Sequence, residues 1–198
     1  FRREVVQEKH AHDYVSYVDK ASEKKVVSAL RKLLPEAGFI AEEGSAAYSD
    51  ETYCWVVDPL DGTTNYIHDN APYCVSIALR DKLSLLLGVV YEPCRDECFY
   101  AWKGGGAYVN GERLRVSLVS EPKDAFVVTE LPYNFEQYAR TGEHLIHELY
   151  GKVAGIRMNG SAALALCYVA AGRFDAWLEA FIGKWDFSAA ALMVLEAG

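Results

Sequence analysis

The stretch Trp55-Val56-Val57-Asp58-Pro59-Leu60-Asp61-Gly62-Thr63-Thr64 carries an apolar run straight into two carboxylates set three residues apart. Like charges that close are costly unless a cation lies between them. Asp58 and Asp61 therefore predict a hard, oxygen-seeking ion such as Mg²⁺, which commonly bridges protein carboxylates and a substrate phosphate. Gly62-Thr63-Thr64 could open a helix, and the first N–H groups of a helix suit a phosphate. Metal on the aspartates and phosphate on the amides would then meet at one turn, stiffened by Pro59. The alternative for this stretch alone is an ordinary surface turn, which Asp-Pro and Asp-Gly pairs often make.

Two more acidic places share the pattern. Glu42-Glu43 follows Gly38-Phe39-Ile40-Ala41, another strand-like run that ends in carboxylates. Asp186 follows Trp185 and opens an apolar helix, where simple N-capping is the alternative. Three acidic element ends, each fed by buried-looking chain, are most simply explained by convergence on a metal.

The elements that must position these groups can be read from periodicity. Val26, Val27, Leu30, Leu33 and Leu34 have helical spacing within residues 20–34, and Pro35 and Gly38 punctuate that helix. A strand enters the acidic loop at 38–45, and a second covers Cys54 to Val57, ending at the Asp58 motif. Residues 73–80, 83–93 and 97–117 read as an antiparallel meander with a hairpin turn at Asn110-Gly111. A strand at 124–131, helices at 134–153 and 160–172, a strand at 173–179 and a helix opened by Asp186 complete the chain. Strands and helices interleave without regular βαβ units throughout, so the fold class is α+β in layers. Gly104-Gly105-Gly106 lies between strands rather than before a helix, which makes it a turn rather than a phosphate cradle.

Composition narrows the function classes. The 198-residue chain has a net charge of −8, leaving no basic surplus for nucleic acid. No apolar run approaches the roughly 18 residues that span a bilayer, so no membrane partner is expected. Cys54, Cys74, Cys94, Cys98 and Cys167 lack the spacing of a disulfide framework and read as reduced core thiols of a cytoplasmic protein. His144 and His147, like His10, His12 and His68, need not be ligands, since such spacing also occurs on any solvated helix face.

Asp58-Pro59-Leu60-Asp61-Gly62-Thr63, with Glu42-Glu43 upstream and Trp185-Asp186-Phe187-Ser188-Ala189 near the end, resembles the inositol monophosphatase family, the lithium-sensitive, magnesium-dependent phosphatases. The segments VDKASE (18–23), KGGGAYVNGERLRVS (103–117), VVTEL (127–131) and GIRMNGSAALALCYVAAGRFDAWLE (155–179) are similar to family segments in the same order. The likeness covers nearly the whole chain. It implies a layered αβαβα sandwich of the inositol monophosphatase/fructose-1,6-bisphosphatase type. One phosphatase domain would span 1–198, with residues 1–120 an α+β half carrying most metal ligands and 121–198 the start of an α/β half. Family members continue past Glu196-Ala197-Gly198, so the C-terminal part is expected to be missing here.

Carried over residue by residue, the resemblance makes Glu42, Asp58, Asp61 and Asp186 metal carboxylates, with the Leu60 carbonyl a further ligand for two or three Mg²⁺ ions. Thr63 would orient the attacking water and Asp19 would hold Thr63, helix capping being the alternative for Asp19. Glu42, Thr63 and Asp19 thus form the catalytic set. Gly62 and Thr63 amides would hold phosphate. Asp61, Ser161, Ala162 and Glu179 would face the rest of the substrate, although Glu179 could instead be an exposed strand-end charge. The implied reaction is hydrolysis of a small phosphate monoester by a metal-activated water. Inositol 1-phosphate is the leading substrate, with 3′-phosphoadenosine 5′-phosphate or fructose 1,6-bisphosphate as alternatives. Lithium inhibition and a homodimer are implied by the same resemblance. A catalytically silent partner-binding protein is the remaining reading, disfavoured because all four carboxylates are present.

Overall fold

A computed structural model describes residues 7–10, 13–15, 17–131 and 135–198. A two-stranded hairpin, β1 (Gln7–His10) and β2 (Asp13–Val15), precedes helix α1 (Tyr17–Leu33). This helix starts three residues before the expected boundary, which brings Asp19 into its first turn. The strands β3 (Gly38–Ala41), β4 (Cys54–Asp61), β5 (Cys74–Arg80), β6 (Leu85–Glu92), β7 (Glu97–Trp102), β8 (Gly106–Val109) and β9 (Glu112–Arg113) form one seven-stranded sheet in chain order. Only β3 and β4 pair in parallel; the others form the antiparallel meander that alternation predicts. Asn110 and Gly111 both take positive φ in the hairpin between β8 and β9.

The expected strand ending at Val57 is too short. β4 runs on through Asp58, Pro59 and Leu60 to Asp61, with a register irregularity that leaves Pro59 and Leu60 without cross-strand partners on β5. Proline can interrupt a ladder only at such a bulge. Beyond it comes α2 (Thr63–Ile67), a helix of five residues. So short a helix has little macrodipole, which weakens the argument for phosphate binding by a long helix. The local amides remain.

In the second half, β10 (Phe126–Glu130), α3 (Phe135–Leu149), β11 (Gly155–Arg157), α4 (Ala162–Ala170) and β12 (Ala176–Glu179) form a parallel three-stranded sheet of order β11-β10-β12. Here the connections are regular βαβ crossovers, and β11 had no counterpart among the expected strands because three residues carry almost no periodicity. The last helix, α5 (Lys184–Ala197), lies on β4 to β8 of the large sheet and pairs with α4, which also touches β12. Helix pair α4–α5 thus fills the space between the sheets, while α1 covers the opposite face of the large sheet at β4. The layers follow the sandwich implied by the resemblance.

Every residue of β4 is buried, because both its faces are covered. Trp55 and Val57 join Val27, Leu30 and Phe39 under α1, whereas Val56 joins Phe99, Leu164 and Met193 on the α4–α5 side. A strand buried on both faces reads as a continuous apolar run, which is why its periodicity alone left its length open. Cys54, Cys74 and Cys167 are core thiols as expected, but Cys94 is exposed and Cys98 half-buried, because both flank the β6–β7 turn. All five are free thiols.

The approach of α5 to the sheet depends on Gly88 of β6. A Cβ there would lie 2.4 Å from the Ala189 carbonyl oxygen, a backbone atom that cannot swing away. Gly88→Ala must push α5 off the sheet, and overpacking of that kind costs about 1–3 kcal/mol. Urea unfolding monitored by circular dichroism should show a loss of that size.

Candidate metal and phosphate site

One carboxylate oxygen from each of Asp58, Asp61 and Asp186 lies within 4.8 Å of the other two, with Asp58 and Asp61 buried. The first two arrive on β4 and the third on the opening turn of α5. Asp58 Oδ1 accepts the Leu60 amide at 2.9 Å, so the carboxylate closes its own turn. Asp61 Oδ2 accepts the Ser161 hydroxyl at 2.6 Å and the Ala163 amide at 2.8 Å, with the Cys74 thiol 3.7 Å away. One oxygen of Asp61 is therefore committed to the start of α4. Asp186 Oδ2 accepts the Gly183 amide at 2.5 Å, so the capping role foreseen as an alternative is present and occupies one oxygen.

Three carboxylates cannot all stay ionised in this space without a cation. Burial pushes Asp58 well above the usual carboxylate range, and Glu42, Asp61 and Asp186 push it further. Burial and Asp61 raise Asp186 to about 7. Burial raises Asp61 as well, although its bonds to Ser161 and Ala163 oppose the shift. Glu42 stands outside the 4.8 Å triad, but its amide donates to the Val57 carbonyl at 3.2 Å and its charge acts on Asp58. The donor set is oxygen throughout, which fits Mg²⁺ or a similarly hard ion rather than zinc or copper.

The remaining expected residues surround this triad. Thr63 Oγ1 is 2.9 Å from both Asp19 Oδ1 and the Leu60 carbonyl. One hydroxyl hydrogen cannot serve both fully, and the carboxylate is the stronger acceptor. Asp19 is buried in the first turn of α1, where its carboxylate meets the Thr63 hydroxyl. Gly62 has φ +87°, and a Cβ would lie 2.9 Å from the Pro72 carbonyl oxygen and 3.1 Å from that of Gly160. Only glycine fits, so the turn after Asp61 is fixed by sterics.

Asp61, Gly62, Ser161, Ala162, Glu179 and Asp186 line a cavity of about 120 Å³, together with Glu130. Glu179 Oε2 is buried with no hydrogen-bond partner, and burial together with Glu130, Asp186 and Asp61 raises this carboxyl to about 8. Glu179 is thus no exposed strand-end charge. Glu130 was not among the expected site residues. It pairs in register with Glu179 at the carboxyl ends of β10 and β12, where the strand order reverses. Crevices at such switch points commonly take ligands. Its Oε1 accepts the Asn159 amide at 2.6 Å and the Gly160 amide at 2.9 Å. The signal was legible in Phe126-Val127-Val128-Thr129-Glu130, an apolar run ending in an acid, as at Glu42 and Asp58. A larger groove of about 710 Å³ runs along α3 past Leu131, Tyr138 and Ile146, but it contains none of the metal carboxylates.

Among the described residues, those set aside by sequence stay outside the site. Gly104 and Gly106 amides donate to the Glu196 carboxylate at 2.6 and 2.9 Å, so the glycine turn is held by an internal anion. His68 Nδ1 contacts the Thr64 carbonyl at 2.8 Å, and His144 and His147 lie on α3. His12 and the His10 side chain lie outside the described residues. No helix among the described residues is long and apolar enough to cross a membrane.

The model of the inositol monophosphatase family matches residues 1–198. The chain is 46% identical over 202 residues to the Nus factor SuhB of Pseudomonas aeruginosa, covering 98% of this chain and 73% of that protein. It is 41% identical to the inositol-1-monophosphatase of Rhizobium meliloti, over 94% of this chain and 70% of that one. The crystal structure of the extragenic suppressor protein SuhB from Bartonella henselae superposes with a TM-score of 0.93 at 40% identity, covering 98% of this chain and 74% of that one.

The raised carboxyls link stability to pH. Between the ordinary carboxylate value near 4 and the folded values of about 7 and 8, the folded state binds more protons than the unfolded state. Stability of the metal-free protein contributed by these groups is complete below that window and falls as pH rises through it. Thermal melts in EDTA should show a midpoint that declines from pH 5 to pH 8. Millimolar Mg²⁺ should remove the share of the decline owed to Asp58, Asp61 and Asp186, since the cation would replace their protons, and leave the share owed to Glu179.

Proposed function

This chain belongs to the inositol monophosphatase family and is a phosphoric monoester hydrolase, and we propose that it hydrolyses a small, hydroxyl-rich phosphate monoester, inositol 1-phosphate above all. The observation that carries this reading is the largely buried Asp58–Asp61–Asp186 triad set directly against Gly62 and Thr63 and beside the small acid-lined cavity. Asp58, Asp61, Asp186, Glu42 and the Leu60 carbonyl would hold two or three Mg²⁺ ions. When bound, Mg²⁺ supplies charge neutralisation for the phosphate and favours ionisation of water.

The chain's own groups then divide the work. Asp19 draws the hydroxyl hydrogen of Thr63, which leaves an Oγ1 lone pair to accept a hydrogen from the attacking water and align it. Gly62 and Thr63 N–H groups would stabilise charge on the phosphoryl oxygens. Asp61 is kept in position by Ser161 and Ala163. Glu179, with a carboxyl near 8 and an unpartnered buried oxygen, suits a ring hydroxyl of the leaving group, and Ala162 leaves room for that ring.

The same cavity ranks the alternatives. A second phosphate, as in fructose 1,6-bisphosphate or 3′-phosphoadenosine 5′-phosphate, would bring a further anion into a cavity already lined by the acids Asp61, Glu130 and Asp186, and like-charge juxtaposition is unfavourable. Neutral hydroxyls would not be repelled. Inhibition by Li⁺ and a homodimer are read from the family resemblance, and a cytoplasmic setting from the five free thiols. A second role beside catalysis is supported only by the name Nus factor carried by relatives at 43–46% identity.

Phosphate release from the three esters tests the reading. Inositol 1-phosphate should turn over fastest, with activity lost in EDTA or in Asp58→Asn. Thr63→Ala should lower kcat by about 10²- to 10⁴-fold with little change in KM, the size of a lost proton-handling group. Preference for a bisphosphate would discard the substrate assignment, and unchanged activity in Thr63→Ala would discard the role of its hydroxyl.

A further inference from the structure

Glu23 is a carboxylate with 0% exposure, and the roles assigned above do not use it. It lies one turn after Asp19 on α1, so two acids share one buried helix face. Like charges at this spacing destabilise a helix unless each is satisfied separately. Asp19 is satisfied by the Thr63 hydroxyl. Glu23 Oε2 accepts the Glu43 amide at 2.7 Å and Oε1 accepts the Ser45 amide at 2.8 Å. No Lys or Arg forms an ion pair with it among the described residues.

The two amides belong to the turn that follows β3. Gly44 N donates to the Ala41 carbonyl at 3.1 Å, and Gly44 takes φ +70°. Successive backbone N–H groups around a left-handed residue form a concavity that binds anions. Here its anion is internal. Upstream, the Glu42 amide donates to Val57 O at 3.2 Å, one residue before Asp58. Glu42 is therefore gripped on both sides, by β4 before it and by Glu23 after it. Between them on α1, the Ser22 hydroxyl donates to the Pro59 carbonyl at 3.1 Å, inside the bulge that separates Asp58 from Asp61.

Burying a carboxylate is costly, and well-packed apolar residues usually serve stability as well or better. A buried acid that spends both oxygens on one loop is better explained by what that loop carries. We propose that Glu23 is a positioning residue that fixes the 42–45 turn so that the Glu42 carboxylate faces Asp58 and the metal. The proposal rests on the phosphatase reading for its consequence in turnover, but not for its consequence in loop rigidity. In this arrangement one face of α1 sets three parts of the site. Asp19 holds Thr63, Ser22 holds the bulge, and Glu23 holds the Glu42 turn.

The test begins with the unaltered protein. In metal-free wild type, hydrogen exchange should find the Glu43 and Ser45 amides protected despite their loop position; exchange at the rate of free peptide overturns the proposal without any variant. Glu23→Gln keeps the shape but offers one acceptor for two amides. Glu23→Asp keeps the charge and withdraws it by one methylene. Both should raise exchange in 42–46 while leaving protection in the large sheet unchanged. Both should also weaken Mg²⁺ binding, measured by calorimetry, by about 10- to 100-fold, the range seen for supporting partners of metal ligands. Turnover should recover at high Mg²⁺, moving the half-saturating metal concentration far more than KM. Wild-type metal affinity in a folded Glu23→Gln would defeat the proposal. If wild type hydrolyses none of the three esters, the phosphatase reading fails, and exchange and calorimetry still decide the part played by Glu23.

Discussion

Three carboxylates from two distant parts of the chain are forced within 4.8 Å of one another in a largely buried space, and the rest of the structure is arranged around that repulsion. Left alone, the group takes up protons, as the raised carboxyls of Asp58, Asp61 and Asp186 show. A hard cation relieves the same repulsion without neutralising the ligands. The site stores unfavourable electrostatics that a bound cation would relieve. Such a cluster must be held by strong neighbours.

Much of that holding comes from the polar groups just behind the carboxylates. Asp58 takes the Leu60 amide, Asp61 takes the Ser161 hydroxyl and the Ala163 amide, and Asp186 takes the Gly183 amide. Each bond fixes one oxygen and thereby aims the carboxylate. The Ser161 bond also ties β4 to the start of α4, joining the two sheets through the site itself. Asn65 adds a second tie, donating to the Pro72 and Asn159 carbonyls at 2.7 Å each. The cavity lies where these two halves meet, which is a common location for small-molecule sites.

The two sheets supply different kinds of precision. In the large sheet, β4 is buried on both faces, so Asp58 and Asp61 ride on one of the best-packed segments of the molecule. The bulge at Pro59 and Leu60 departs from regular pairing at the place where two side chains must be re-aimed, a use that bulges often have near active sites. In the small sheet, strand order reverses beside β10, and the carboxyl ends of β10 and β12 bring Glu130 and Glu179 together. On the proposed reading the rigid sheet would supply two of the metal carboxylates and the crevice would choose the ligand.

The sequence alone carried the chemistry that depends on local order. Asp58-Pro59-Leu60-Asp61-Gly62-Thr63 showed two acids at the end of an apolar run, the Asn110-Gly111 hairpin was legible from its turn residues, and the apolar spacing of α1 and α4 marked both helices. Boundaries were less legible, because β4 is buried on both faces and lacks the alternation that would have shown it continuing to Asp61. Only the tertiary structure decided that Glu130 faces Glu179, that Ser161 spends its hydroxyl on Asp61, and that Glu23 reaches across to the Glu43 and Ser45 amides. Those contacts join residues 20 to 100 positions apart. Their partners are set by how strands and helices stack, and a linear pattern of residue types holds no information about which buried acid will meet which amide until the layers are packed.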